Sequence, residues 1–192
     1  MMNSAATDGI GMIYLGMSPW EGMWKNRHHL MSRFAQKVPV LYVEPWLGMR
    51  KLRGALLSRD GRQALNWSTW SQISTNLYVF KSPAYLPVST RAFLGPLTQH
   101  RWYSHIRRVA HELGVRRPIL WLSRPEMAGA IGRFDECLSI YHIVDEYGGY
   151  TDHSEQTRER LWATEQSVLV NVDISIVVSR ELLARKAGCG RD

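Results

Sequence analysis

Asp145 has the sequence surroundings of a group that takes part in proton transfer. It follows an apolar run that ends at Val144, and Tyr147, Gly148 and Gly149 come soon after it. This order predicts a carboxylate at the carboxyl end of a strand, where open α/β sheets bind their ligands. A carboxylate in that position can hydrogen-bond to a hydroxyl group or accept its proton. The alternative is that Asp145 only caps the following turn.

Five further polar residues lie at the ends of apolar runs. Ser123, Arg124 and Glu126 follow one run, and we expect the last two to face the same cleft as the carboxylate, unless Arg124 forms a surface ion pair instead. His142 lies inside the run before Asp145, so it is either a hydrogen-bonded residue of the sheet or a contact to substrate. Ser179 follows the last run and begins a helix. All five are predicted substrate-binding residues.

The loop after the first apolar run is a candidate anion site. It contains Gly16, Ser18 and Trp20, and it leads through Arg27 and His28 into a predicted helix. Backbone N–H groups and the positive end of a helix dipole suit a phosphate or a carboxylate. Packing of the tryptophan against the sheet is the alternative for that residue. We predict these five residues as substrate-binding.

Alternating apolar runs and amphipathic segments predict the elements that position these residues. Runs separated by helical patterns favour right-handed crossovers and a parallel sheet. We therefore expect one α/β domain over residues 1–192, a doubly wound Rossmann-like parallel sheet of about six strands. Segment 46–76 has no steady period and is predicted as a long loop with a short helix. The predicted strands are 12–15, 40–43, 77–80, 119–122, 139–144 and 174–178.

Composition limits the partners. The 192 residues carry 24 Lys plus Arg against 17 Asp plus Glu, a net charge of +7 that favours anionic partners. The basic residues at 50–53 beside Leu56 and Leu57 indicate contact with an anionic membrane. RNA-binding aromatic signatures are absent, so no nucleic acid is expected. The polar start and the lack of a long apolar stretch predict a cytoplasmic protein. Its membrane contact would then be peripheral, on the inner face.

Several classes of site are disfavoured by their missing motifs. Cys137 and Cys189 are far apart and lack neighbouring histidines, so we expect no metal. The pair Gly9 and Gly11 precedes the first predicted strand, whereas a dinucleotide loop would follow it. A nucleotide-dependent oxidoreductase is therefore a weak alternative, and no bound cofactor is expected. Phosphate-loop and α/β-hydrolase motifs are absent as well.

Four segments in this order resemble the amino-terminal domain of GT-B glycosyltransferases of the group 1, or family 4, type. They are 27–35 (RHHLMxRxA), 40–45 (VLYVEP), 141–146 (YHIVDE) and 173–182 (DIxIVVSxEL). The resemblance implies the N-terminal half of a GT-B fold, acting in cell-envelope polysaccharide biosynthesis. It implies transfer of a sugar from a nucleotide-sugar donor to a glycan or lipid-linked acceptor, without an essential metal.

The resemblance also implies roles for particular residues and for a second domain. Asp145 stands where related enzymes often place an acceptor-side histidine, which makes it the candidate catalytic residue. The donor-binding C-terminal domain of such enzymes is not part of these 192 residues, so the chain is expected to be inactive alone, as a fragment, a truncated product or a split-enzyme subunit. The alternative is a non-catalytic binding module that kept the fold.

Overall fold

The computed structural model describes residues 9–46, 48–57, 69–89, 91, 93–145 and 154–186. Within these residues the chain forms one seven-stranded sheet in the order β3-β4-β2-β1-β5-β6-β7. Six strands are parallel and β3 alone runs antiparallel to its neighbour. The strands are β1 (Ile10–Leu15), β2 (Val40–Val43), β3 (Trp70–Ser74), β4 (Leu77–Phe80), β5 (Arg117–Leu122), β6 (Leu138–Ile143) and β7 (Ile174–Val177).

Helices cover both faces of the sheet, which confirms the predicted doubly wound α/β fold. Helices α3 and α4 pack on one face with Ile13 and Leu15, and α1 packs on the other with Met12 and Tyr14. Because both faces are buried, the parallel strands are apolar at consecutive positions. The helices are α1 (Asn26–Phe34), α2 (Met49–Leu57), α3 (Gly95–Glu112), α4 (Glu155–Asn171) and α5 (Arg180–Lys186), with a 3₁₀ helix at Pro125–Ala130.

The structure corrects the interpretation of segment 46–76. The predicted short helix is α2, but the segment also contains strand β3 at the edge of the sheet. The β3 side chains from Ser71 to Ser74 are all exposed, so the strand lacks the apolar signal that burial imposes on the others. Its pairing with β4 is also irregular between Gln72 and Ser74.

Helix ends follow local chemistry. Gly114 lies just past the end of α3 with φ 81°, a conformation that glycine adopts without strain. The side chain of Ser154 caps α4, accepting a hydrogen bond from the Thr157 N–H at 3.3 Å. Helix α1 begins at Asn26, and Lys25 before it has extended backbone.

Helices long and apolar enough to cross a lipid bilayer are absent from the part of the chain that the structure describes.

Candidate functional site

The carboxyl ends of β1, β5 and β6 meet at one edge of the sheet. Leu15 pairs with Leu122, and Leu122 pairs with Tyr141, so the residues that follow these strands are neighbours. Strand β1 is the point where the strand order reverses, and α/β sheets bind ligands in the crevice outside such a point. Two cavities open there, separated by Met17, which lines both.

The first cavity, on the α3 side of the sheet, is called the apolar cavity below. Its volume is about 280 Å³, and its walls include Val43, Trp46, Trp102 and Met127. The two indole rings meet edge to face with centroids 5.6 Å apart. A cavity of this size is just below the range of about 300–1,000 Å³ for small-molecule sites.

Arg124 and Glu126 also line the apolar cavity. Their side chains form a bidentate ion pair, with Nη2 to Oε1 at 2.9 Å and Nε to Oε2 at 3.2 Å. Both are partly exposed to solvent. The structure therefore places both predicted residues at the site. There they form an ion pair with each other, which is the alternative that the sequence left open for Arg124.

The second cavity, on the α1 side, is called the polar cavity below. Its volume is about 390 Å³. Ser123 lies at its base, and its Oγ donates a hydrogen bond to the Leu15 carbonyl at 2.7 Å. The polar side chains that line it are Tyr14, Lys25, Asn26, Arg27, Ser123 and His142.

His142 faces the polar cavity from β6. Its side chain is nearly buried, and its ring stands at 87° to the Trp121 ring with centroids 5.5 Å apart. Burial lowers the pKa of His142 from its usual 6.5, because the charged imidazolium loses hydration there. The side chain is therefore a neutral imidazole at neutral pH, which can donate one hydrogen bond and accept another.

Arg27 brings a positive charge to the polar cavity from the first turn of α1. Its Nη2 donates to the Pro19 carbonyl at 3.3 Å, while its Nε is buried without a partner among the described residues. Burial raises the pKa of Tyr14, and a hydrogen bond with Ser123 and the charge of Arg27 oppose the rise. Arg27 also lowers the pKa of Tyr42, which burial and nearby Tyr14 raise.

Trp20 and His28 hold the loop 16–25 in place. The Trp20 N–H donates to Glu44 Oε1 at 2.8 Å, and the Trp20 carbonyl accepts from His28 Nε2 at 2.8 Å. The Lys25 N–H donates to His28 Nδ1 at 2.8 Å, which fixes the tautomer. Both side chains are buried, so they support the loop from behind and do not form the cavity walls. Trp20 therefore packs against the protein, which was the alternative to a ligand contact.

Gly16 and Ser18 lie on the same loop. Gly16 lines the apolar cavity, and a β-carbon there would collide with the Tyr42 hydroxyl, so the close approach of Tyr42 requires glycine. That hydroxyl donates to the Ser18 carbonyl at 2.7 Å. The Ser18 Oγ is buried and has no partner among the described residues. Tyr42 thus ties the loop to β2.

Asp145 and Ser179 lie farther from the cavity walls. Asp145 is exposed and follows Val144, which lines the polar cavity, so the carboxylate is at the same edge of the sheet. Ser179 follows β7, and its Oγ accepts from the Leu182 N–H at 3.2 Å, which caps α5. It lines neither cavity.

Sequence reasoning missed several of the residues that line the cavities. The sequence predicts Tyr14 only as part of the apolar strand 12–15. The alternation of side chains along a strand nevertheless places it on the face opposite Leu15. Trp46 lies in a segment without a period, and Trp102 belongs to the buried stripe of α3. The signal that was available was the basic pair Lys25 and Arg27 at the start of a helix.

Comparison with known proteins finds no protein-family model and no curated protein that matches the chain. The described part of the chain contains no group of three His, Cys, Asp or Glu side chains that could hold a metal ion.

Proposed function

We propose that this domain is the acceptor-binding half of a GT-B glycosyltransferase. It holds a glycan or lipid-linked acceptor at the carboxyl ends of β1, β5 and β6, while a second domain binds most of the nucleotide-sugar donor. The observation that carries the proposal is the pair of cavities at the point where the strand order reverses, one lined by two tryptophans and the other by Lys25, Arg27 and His142. An acceptor with a polar sugar and an apolar carrier fits such a pair.

The loop after β1 favours this function over a dinucleotide-binding one. A dinucleotide site needs a glycine-rich turn that brings backbone N–H groups to the pyrophosphate. Here Gly16 is followed by a loop that Trp20 and Tyr42 fill. The crevice is therefore shaped by aromatic side chains, which suit the faces of sugar rings and apolar groups.

Asp145 is the catalytic residue in this proposal. In its exposed position beside the polar cavity it can hydrogen-bond an acceptor hydroxyl and take its proton as the sugar bond forms. The neutral imidazole of His142 is the second group of that cavity which can accept a proton or orient a hydroxyl. The ion pair of Arg124 and Glu126 offers hydrogen-bonding groups at the other cavity.

Exposed apolar side chains support contact with the inner face of a membrane, where a lipid-linked acceptor would be met. Leu57 at the end of α2 is 88% exposed, and Phe93 just before α3 is 91% exposed. The start of α2 adjoins the segment that leads to α3, because the Met49 N–H donates to the Val88 carbonyl at 3.3 Å. Arg53 and Arg91 add positive charge near the two apolar side chains.

The test is a transfer assay with the purified chain, a separately expressed donor-binding domain and panels of nucleotide sugars and acceptors. Release of nucleoside diphosphate that depends on an acceptor is expected. A chain that binds acceptors tightly but supports no transfer with any donor domain would contradict the proposal and favour the non-catalytic binding module.

A further inference from the structure

The polar cavity is lined by two cations and, among the described residues, by no carboxylate. Lys25 and Arg27 line it at the start of α1, whose first turn contains no acidic residue. Neither forms an ion pair anywhere in the described part of the chain. Two cations beside a partly buried cavity raise the local concentration of anions.

The start of α1 adds backbone donors to this charge. The first N–H groups of a helix have no partner within it, and they mark the positive end of its dipole. The His28 N–H is used by the Lys25 carbonyl at 2.8 Å. The N–H groups of Asn26 and Arg27 make no hydrogen bond within the described residues, so both remain available to a ligand.

His142 is an independent sign of a ligand in this cavity. Its side chain is only 9% exposed, yet its ring nitrogens make no hydrogen bond within the part of the chain that is described. The ring nitrogens are not among the buried atoms that lack a partner, so they open onto the cavity. Because His142 and Arg27 line the same cavity, a group bound there can hydrogen-bond to the imidazole.

Resting on the proposed function, we propose that the polar cavity binds a phosphoryl group carried by the acceptor. A phosphate has more acceptor oxygens and more charge than a carboxylate, and the cavity offers more donors than a carboxylate needs: the Arg27 guanidinium, the Lys25 ammonium, two backbone N–H groups and the imidazole of His142. Charge-assisted hydrogen bonds from the Arg27 guanidinium would be stronger than those from the neutral donors.

The experiment measures binding to the purified chain by NMR of the histidine side chains, so it does not depend on catalysis. The ligands are inorganic phosphate, glucose 1-phosphate, a short-chain phosphatidic acid, glucuronate and UDP. The His142 ring signal is assigned with His142→Gln. We expect the phosphate compounds to shift this signal, and Arg27→Gln to weaken their binding about tenfold, the effect of losing one charge-assisted hydrogen bond. The matched control is Arg33→Gln, an exposed arginine in the last turn of the same helix, which should bind as the unmodified chain does.

Each outcome decides one point. The tighter of glucose 1-phosphate and phosphatidic acid identifies sugar or lipid as the carrier of the phosphate. The proposal would be overturned if glucuronate or UDP bound at His142 more tightly than the phosphate compounds do. It would also be overturned if no phosphate shifted the His142 signal, or if Arg27→Gln bound phosphate as well as the unmodified chain. If Arg27→Gln does not fold, as judged by circular dichroism, the His142 shift in the unmodified chain decides. Phosphate binding without transfer would contradict the proposed function alone, and transfer without phosphate binding would contradict this site alone.

Discussion

A neutral imidazole and a carboxylate stand three positions apart at the end of β6. His142 is buried beside the polar cavity, whereas Asp145 is exposed at its edge. The imidazole lines the same cavity as Lys25 and Arg27, and burial lowers its pKa because the protonated ring would lose hydration. Of the two, Asp145 is the residue whose replacement should slow proton transfer from an acceptor hydroxyl.

Asp145→Asn should therefore lower turnover about tenfold or more in an enzyme completed with its donor domain, the range for one lost acid–base group. The amide keeps the size of the side chain but cannot accept the proton. Asp135→Asn is the control, because Asp135 is an exposed aspartate before the opposite end of β6 and asparagine tolerates its φ of 53°. Turnover equal to the unmodified enzyme in Asp145→Asn would remove this residue from the mechanism.

His142 predicts how stability depends on pH. Its pKa is lowered by burial from 6.5 in the folded chain, so below about pH 6.5 the unfolded chain binds the proton more readily than the folded one. The folded state should lose stability as the pH falls through that window, and the penalty is absent above it. His142→Gln should reduce the loss between about pH 7.5 and about pH 5.5, measured by urea unfolding.

His105 is the comparison for this prediction. Burial and Arg108 also lower the pKa of His105, so it contributes acid sensitivity of the same sign. The effect of His142→Gln must therefore add to that of His105→Gln, since the two histidines lie on different elements. An unchanged pH profile in His142→Gln would mean that its imidazole is not desolvated in solution.

The sequence predicted the location of the candidate site better than the roles of its residues. Strand ends were read from apolar runs, which brought Gly16, Ser123 and His142 to one edge. The buried contacts of Trp20 depend on Glu44 and Tyr42, which lie far along the chain, and His28 in turn bonds to the Trp20 carbonyl. No local pattern predicts such pairings, so a loop support and a ligand contact look alike in the sequence.

At the scale of elements, a buried ion pair joins helix α5 to helix α4. Lys186 Nζ lies 2.6 Å from Glu165 Oε2, and Tyr141 of β6 donates its hydroxyl to Glu165 Oε1 at 3.2 Å. Both charged side chains are buried. This cluster holds together the two helices that flank β7. Removing one member should lower the stability of the fold, because a buried charge is unfavourable without an opposite charge beside it.

Glu165→Ala should lower the free energy of unfolding by about 3–5 kcal/mol, because it removes the carboxylate that pairs with the buried Lys186 ammonium and accepts from the Tyr141 hydroxyl. Urea unfolding at neutral pH measures the change. Glu159→Ala, an exposed position on the same helix, is the matched control and should change stability by less than about 0.5 kcal/mol. The double variant Glu165→Met, Lys186→Met should recover part of the loss, and no recovery would show that the charges themselves stabilise the fold.

Helix α2 and the start of α3 carry the prediction of membrane contact. Leu57→Ser and Phe93→Ser should each reduce co-sedimentation with anionic vesicles about tenfold, because each removes a large side chain that can enter the lipid. Added salt should weaken binding too, since each cation near the surface contributes about 1 kcal/mol. Val170→Ser, exposed on α4, is the control. Equal binding to neutral and acidic vesicles, indifferent to salt, would contradict this contact.

Strand β3 was the strand that the sequence did not predict. The predicted bounds of β2 and β4 match the structure, because burial on both faces demands consecutive apolar residues. Strand β3 has one neighbour and exposed side chains, so its only determinant is backbone pairing, which any sequence can provide. The 3₁₀ helix at Pro125–Ala130 was likewise missed, since its few residues show no helical period.

At the scale of the whole molecule, the two cavities are open on the side that faces away from the sheet. The crevice has walls from α1, α3 and the loop after β1, and it lies at the carboxyl edge of the strands. In the proposed function a second domain closes over this edge with the donor. Closure would exclude water and orient the acceptor hydroxyl, effects that contribute much of the rate of a group transfer.

The described domain alone should therefore bind an acceptor but transfer no sugar. Departure of a nucleoside diphosphate needs positive groups and helix dipoles directed at its developing charge, which is usually the largest catalytic contribution. In the proposed function those groups belong to a donor-binding domain, and the cations of the polar cavity bind the acceptor. The measurement is release of nucleoside diphosphate by the purified chain, with and without a separately expressed donor-binding domain. Acceptor binding measured in parallel shows that the chain is folded. Robust transfer by the chain alone would contradict the two-domain mechanism and the resemblance on which it rests.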